Sequence, residues 1–202
     1  MGMNPQTQPH NDNSRPRRTA VFIDGAHLSV VARRDFPGVA IAFDKLAALL
    51  AGPTELVHTY YYDALPYLPY NPSEQDRHRY AQRRRFYEAL RHYPRFEVRE
   101  GRIARTVNRH TGGYEYVQKY VDVWLSTDLV RLASKRQIDL AILVTGDSDF
   151  VPAIRAAREE GVEVRLLSSC GSHAVHPELA AAVDARMFLD DAMVQQTARR
   201  AA

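Results

Sequence analysis

The segment Leu143 to Phe150, LVTGDSDF, carries an apolar run into a glycine and then sets Asp147 and Asp149 one residue apart. Two more aspartates adjoin apolar runs in the same way: Asp24 follows AVFI, and Asp122 stands at the head of VDVWLSTDLV. Carboxylates brought together repel one another and resist ionisation unless a positive partner lies between them. A hard divalent cation answers that need, because Mg²⁺ or Mn²⁺ takes carboxylate, water and phosphate oxygens and activates water for attack on phosphorus. We therefore expect Asp24, Asp122, Asp147 and Asp149 to gather as catalytic ligands of Mg²⁺ or Mn²⁺. Asp128 lies six residues beyond Asp122, about 600 degrees around a helix, so it should point elsewhere and stand behind the ligands, as should Ser148.

A second feature suits that chemistry. Between Arg77 and Lys119 there are twelve Lys or Arg against four acids, whereas the whole chain has a net charge of only +3. Tyr80, Phe86, Tyr87, Tyr93, Tyr114, Tyr116 and Tyr120 are interleaved with the basic residues. Arginines beside aromatic faces suit phosphates and unstacked bases. Arg83, Arg84, Arg85, Arg102, Arg105, Lys119 and Tyr120 are the candidate nucleic-acid contacts. The competing reading is an amphipathic helix with solvated arginines and aromatics in the core.

The elements that must position these residues alternate in type. RTAVFID, ELVHTYYYDA, LAILVTG and VEVRLLS read as strands; HLSVVARRD, FDKLAALLAG, VDVWLSTDLVRLASKRQ and FVPAIRAAREEG read as helices. Ser73 and Asp76 form a capping-box pattern ahead of the basic helix, and NRHTGG joins two alternating segments as a hairpin. PELAAAVDARMFLDD adds a helix and a short strand. This order predicts an α/β fold, a Rossmann-like three-layer α/β/α sandwich with a mainly parallel central sheet. Residues that follow strands then converge at the carboxyl edge of the sheet, where such folds bind ligands. The organisation expected is a disordered tail over 1–17, one domain over 18–190 and a C-terminal tail over 191–202.

The blocks VFIDGAHL, QKYVDVWLSTDLV and QIDLAILVTGDSDFVPAIRAAREEGVEV, in this order and spacing, resemble the NYN domain of the PIN-like nuclease superfamily, in particular its LabA-like branch. The resemblance spans about residues 18 to 190. It implies a PIN-like fold and a metal-dependent ribonuclease site, with Asp24, Asp122, Asp147 and Asp149 at the family's aspartate positions and Asp128 at another recurrent one. The chain departs from the family at His27, where asparagine is usual, and at Tyr120, where glycine is frequent. An imidazole beside the site can bridge to a metal through water or hold a phosphate, and its charge varies near neutral pH. Lys119 is retained and could meet a phosphate as a point charge.

Other readings fit less well. A GDSL-type hydrolase would use Ser148 as nucleophile, but that block should open the domain and an aspartate–histidine pair should close it. Haloacid-dehalogenase phosphatases need a second aspartate where Ala26 stands. A noncatalytic RNA-binding protein on the same fold is the stronger alternative. Cys170, His173 and His176 are too loosely spaced for a zinc site and read as a loop bordering the cleft. Trp124 reads as core, and Asp63, Asp184, Asp190 and Asp191 as indistinguishable from surface acids. The partner expected is RNA, with single-stranded DNA as a second substrate; a homodimer would give an open cleft its second wall. With no apolar run long enough for a membrane span and one lone cysteine, a cytoplasmic protein is expected.

Overall fold

The computed structural model describes residues 15–108, 112–169 and 175–199. Seven strands form one sheet in the order β4-β3-β2-β1-β5-β6-β7. They are β1 (Arg18–Asp24), β2 (Glu55–Leu65), β3 (Phe96–Val107), β4 (Tyr114–Lys119), β5 (Leu140–Val144), β6 (Glu163–Ser169) and β7 (Ala185–Leu189). All neighbours are parallel except β4, which returns antiparallel to β3. This is the expected α/β fold, and it matches a PIN-like domain.

The helices are α1 (Gly25–Asp35), α2 (Phe43–Ala51), α3 (Glu74–Arg91), α4 (Val121–Ser134), α5 (Val151–Glu159), α6 (Pro177–Ala182) and α7 (Asp191–Thr197). Alternation along β1 divides the core. Ala20 and Phe22 pack with Leu125 and Leu129 of α4 and Ile154 of α5, while Val21 and Ile23 pack with Leu28 of α1, Leu46 of α2 and Leu90 of α3. Near-continuous apolar strands such as LAILV are what a sheet covered on both faces requires. The predicted capping box is present: Ser73 Oγ accepts from the Asp76 amide, and the Asp76 carboxylate accepts from the Ser73 amide.

The C-terminal segment differs from the tail read in the sequence. Asp190 caps α7, Val194 is buried against the core, and the Thr197 carbonyl accepts from the Ala42 amide. The two apolar positions that anchor α7, Met193 and Val194, are too few to produce a periodic signal. Of the segment 1–17, residues 1–14 lie outside the described residues, as do Cys170 and His173.

From β1 the chain passes outward through β2, β3 and β4, then crosses back through α4 to β5 on the other side of β1. The carboxyl ends of β1 and β5 therefore flank the point where strand order reverses, which is where open α/β sheets form their clefts.

Candidate active site

Asp24 is the last residue of β1, and it also caps α1: its Oδ1 accepts from the His27 amide at 3.0 Å. Its Oδ2 accepts from the Thr145 hydroxyl at 3.3 Å. Thr145, fully buried directly after β5, in turn accepts from the Asp147 amide at 3.3 Å. One hydroxyl thus ties the ends of the two central strands together. Asp147 Oδ1 accepts from the Asp149 amide at 2.9 Å, opening a short 3-10 turn (Ser148–Phe150) before α5.

A cleft of about 520 Å³ opens here, lined by Asp24, His27, Gly146, Asp147, Ser168 and Ser169 among others. Gly146 is needed for the closeness of this wall, since a Cβ there would lie 2.6 Å from the His27 ring. Asp122, in the first turn of α4, and Asp149 couple to the cleft through charge. Burial and then the neighbouring carboxylates, Asp122 among them, push Asp24 up to about 6 against the lowering effect of its hydrogen bonds. Burial, Asp147 and Asp149 raise Asp122. Among the described residues, none of these four carboxylates has an ion pair with Lys, Arg or His, although ion pairs are common elsewhere in the molecule.

Among the described residues, no group of three or more His, Cys, Asp or Glu is arranged to hold a metal ion by itself. The carboxylates are turned instead to local donors, the His27 amide and Thr145 hydroxyl for Asp24 and the Asp149 amide for Asp147. The donor set still fits a hard cation that uses one or two carboxylates and keeps much of its water, as Mg²⁺ does, rather than an enclosed all-protein cage. Carboxylates without a cationic partner, among which burial and neighbouring charge raise the proton affinity of Asp24 and Asp122, are the observation that favours such a fit.

The remaining sequence-derived candidates separate. Asp128 is buried on the inner face of α4, away from exposed Asp122, with its carboxylate on Arg99 at 2.9 Å, Arg131 at 2.9 Å and the Tyr62 hydroxyl at 3.2 Å. Ser148 sits within the 3-10 turn. Arg83 does not present a free guanidinium: it ion-pairs at 3.1 Å with Asp63, because a buried carboxylate at the end of β2 requires a cation. Arg84 pairs with Glu88 at 3.5 Å along α3. Arg85, Arg102, Arg105 and Lys119 have no acidic partner among the described residues. The amphipathic-helix reading thus describes much of α3, with Tyr87 in the core, whereas Arg102 and Arg105 of β3 and Lys119 of β4 keep charge that no acid among the described residues neutralises.

Trp124, expected in the core, is 43% exposed, with the Arg99 guanidinium 5.8 Å from its ring. Asp184 pairs with Arg158, and His176 caps α6. Thr145 and Asp63 are the residues that sequence reasoning missed. A threonine ending an apolar strand directly before GDSD was the available signal for the first. For the second there was none, since its charge effect on Asp24 depends on the pairing of β1 with β2.

Tyr120 precedes α4 with φ +74°, the left-handed region that favours glycine. The frequent family glycine is thereby explained. Gly101 has its own reason: a Cβ there would meet the Lys119 carbonyl at 2.5 Å and Val121 at 2.6 Å, so its absence lets the start of α4 sit against β3.

Among solved structures, the chain is similar to a protein of unknown function from Vibrio parahaemolyticus, at 18% identity and a TM-score of 0.64, covering 92% of this chain and 98% of that one. A putative oxidoreductase from Parabacteroides merdae is matched at 10% identity and a TM-score of 0.33, covering 91% of this chain and 30% of that one. No curated protein matches the sequence. The first likeness concerns the fold alone. In sequence, a model of the NYN domain matches residues 18–190, and the chain belongs to that family.

Proposed function

We propose that this protein is a metal-dependent ribonuclease that hydrolyses phosphodiester bonds in single-stranded RNA. The observation that carries the reading is the set of unneutralised carboxylates, Asp24, Asp122, Asp147 and Asp149, at the strand-order switch point, with Asp24 pushed up to about 6 and Asp122 raised by burial and then by Asp147 and Asp149. Membership of the NYN family, which suggests the PIN-like nuclease superfamily, supports the same chemistry. The LabA-like features of the three sequence blocks belong to this proposal.

Asp24 and Asp147 line the cleft and would hold Mg²⁺ or Mn²⁺ with Asp122, while Asp149 fixes the orientation of Asp147 through its amide. A bound divalent ion would lower the pKa of a water and offset the charge that builds on the phosphate. Thr145 keeps Asp24 and the Asp147 loop in register, so both carboxylates face one substrate. His27, on the cleft wall, is placed to hydrogen-bond a phosphate oxygen, and Lys119 and the free arginines would attract the strand.

The test is cleavage of end-labelled single-stranded RNA with Mg²⁺, Mn²⁺ or EDTA. Asp147→Asn should lower metal-dependent cleavage by about 100-fold or more, since even changes behind the ligands of a metal site cost about 10–100-fold. The lack of a preformed three-ligand group among the described residues favours a second reading, a noncatalytic RNA-binding protein. Intact RNA with every ion, and binding retained, would establish that reading and sink the first.

A further inference from the structure

Strand β3 outruns its neighbour. Its pairing with β2 ends at Leu65↔Arg102, and from Ile103 to Val107 its strand partner is β4 alone. Because β3 is parallel to the central strands, this two-stranded arm projects from the same sheet edge that carries Asp24 and Asp147. The chain then runs from Lys119 through Tyr120 directly into the turn of α4 that bears Asp122.

The arm is aromatic where solvent should make it polar. Tyr114, Tyr116 and Tyr120 are 65%, 58% and 52% exposed. The Arg105 guanidinium lies 4.3 Å from the Tyr114 ring centre and the Arg102 guanidinium 5.2 Å from that of Tyr120, while Tyr116 meets the Tyr67 ring at 5.1 Å. Glu115, the acid of β4, is held by Thr106 and Asn108 and does not neutralise these arginines. Tyr120 adds a separate argument. Its positive φ is free for glycine and costly for tyrosine, and its exposed ring contributes no core packing that would offset the cost. A strained, exposed aromatic beside a catalytic carboxylate is expected where the ring itself has work to do.

We propose that Tyr114, Tyr116 and Tyr120, backed by Arg102 and Arg105, form a stacking platform for the unpaired bases of a single nucleic-acid strand, leading it to the carboxylates. The inference rests on the nucleic-acid reading of the site and gives its substrate class a physical basis: bases in a duplex keep their faces stacked on one another and cannot occupy these rings. Each arginine supplies charge for the backbone and a planar back to the ring.

Binding of short fluorescein-labelled oligouridine, followed by anisotropy in EDTA, tests the platform without cleavage. Tyr114→Ala and Tyr120→Gly should each weaken binding about tenfold, within the range that loss of one base–aromatic stack produces. The slope of affinity against salt should stay unchanged for both and fall for Arg105→Ala, because only the arginine displaces counterions. Tyr120→Gly should melt at a higher temperature than wild type, which separates loss of the ring from loss of the fold. Binding of a duplex should be insensitive to both tyrosine changes. The proposal is overturned by undiminished oligouridine binding, by an equal loss on the duplex, or by a Tyr114→Ala change that only alters self-association. A wild type that never cleaves yet shows ring-dependent binding would refute the nuclease and leave the platform standing.

Discussion

Replacing Asp24 by asparagine should stabilise the metal-free protein at neutral pH and do little in acid. The Asp24 carboxyl is pushed from an ordinary 3.8 up to about 6, first by burial, with the carboxylates of Asp122 and Asp63 adding to it. In the unfolded chain the group ionises near its ordinary value, whereas the folded protein holds the proton until about pH 6. The favourable contribution of the protonated form is therefore complete below the unfolded pKa and is lost as pH rises through the folded one. At about 1.4 kcal/mol per pH unit, the difference reaches about 3 kcal/mol at pH 7 and shrinks to under about 1 kcal/mol at pH 4. Asparagine can keep the acceptor for the His27 amide while removing the charge. Urea unfolding in EDTA at those two pH values, followed by circular dichroism, measures the difference between variant and wild type. Contributions from other acids, such as the Arg18-paired Asp139 held down at about 2, are common to both proteins and cancel. Added Mn²⁺ should close most of that gap, because an ion at about 100 times its dissociation constant stabilises by about 2.7 kcal/mol and the variant has lost a ligand. A variant less stable than wild type at pH 7 in EDTA, or a difference that ignores pH, would refute the electrostatic account of the site.

Two substitutions probe the supports of the site. Asp128→Ala leaves Arg99, Arg131 and the Tyr62 hydroxyl without their shared acceptor, so its urea midpoint should fall by the equivalent of about 3–5 kcal/mol, as for a broken buried ion pair. Mn²⁺ affinity of the folded variant should be unchanged, because this carboxylate faces the core. Gly101→Ala drives a methyl into the Lys119 carbonyl and Val121, so it should cost about 1–3 kcal/mol and also slow RNA cleavage by displacing Asp122. Wild-type stability in that variant would mean that the start of α4 is not held against β3 in solution.

The order of elements was legible in the sequence because the signals are local. The apolar run of β5 and the Ser73–Asp76 cap depend on residues within a few positions of each other. The placement of Asp24 and Asp147 at the carboxyl edge was legible for a related reason: a charge at or just beyond the end of a strand that must be buried on both faces stands out against its neighbours. Docking of α7 was not legible, since its burial depends on α2 more than a hundred residues earlier. The fate of the arginines was equally hidden. Arg83 and Arg102 look alike in a basic run, yet Arg83 meets Asp63 across the α3–β2 interface while Arg102 lies over Tyr120. Trp124 had the composition of a core residue, yet it lies at the flank of the buried face of α4, beside the Arg99 guanidinium, and stays partly exposed. Sequence alone determined the α/β frame and the aspartates at its switch point, through periodicity and the cost of burying charge. Only the tertiary structure decided which charges pair with one another and which stay without an acidic partner, because pairing between distant elements depends on which side chains the packed helices and strands bring within reach.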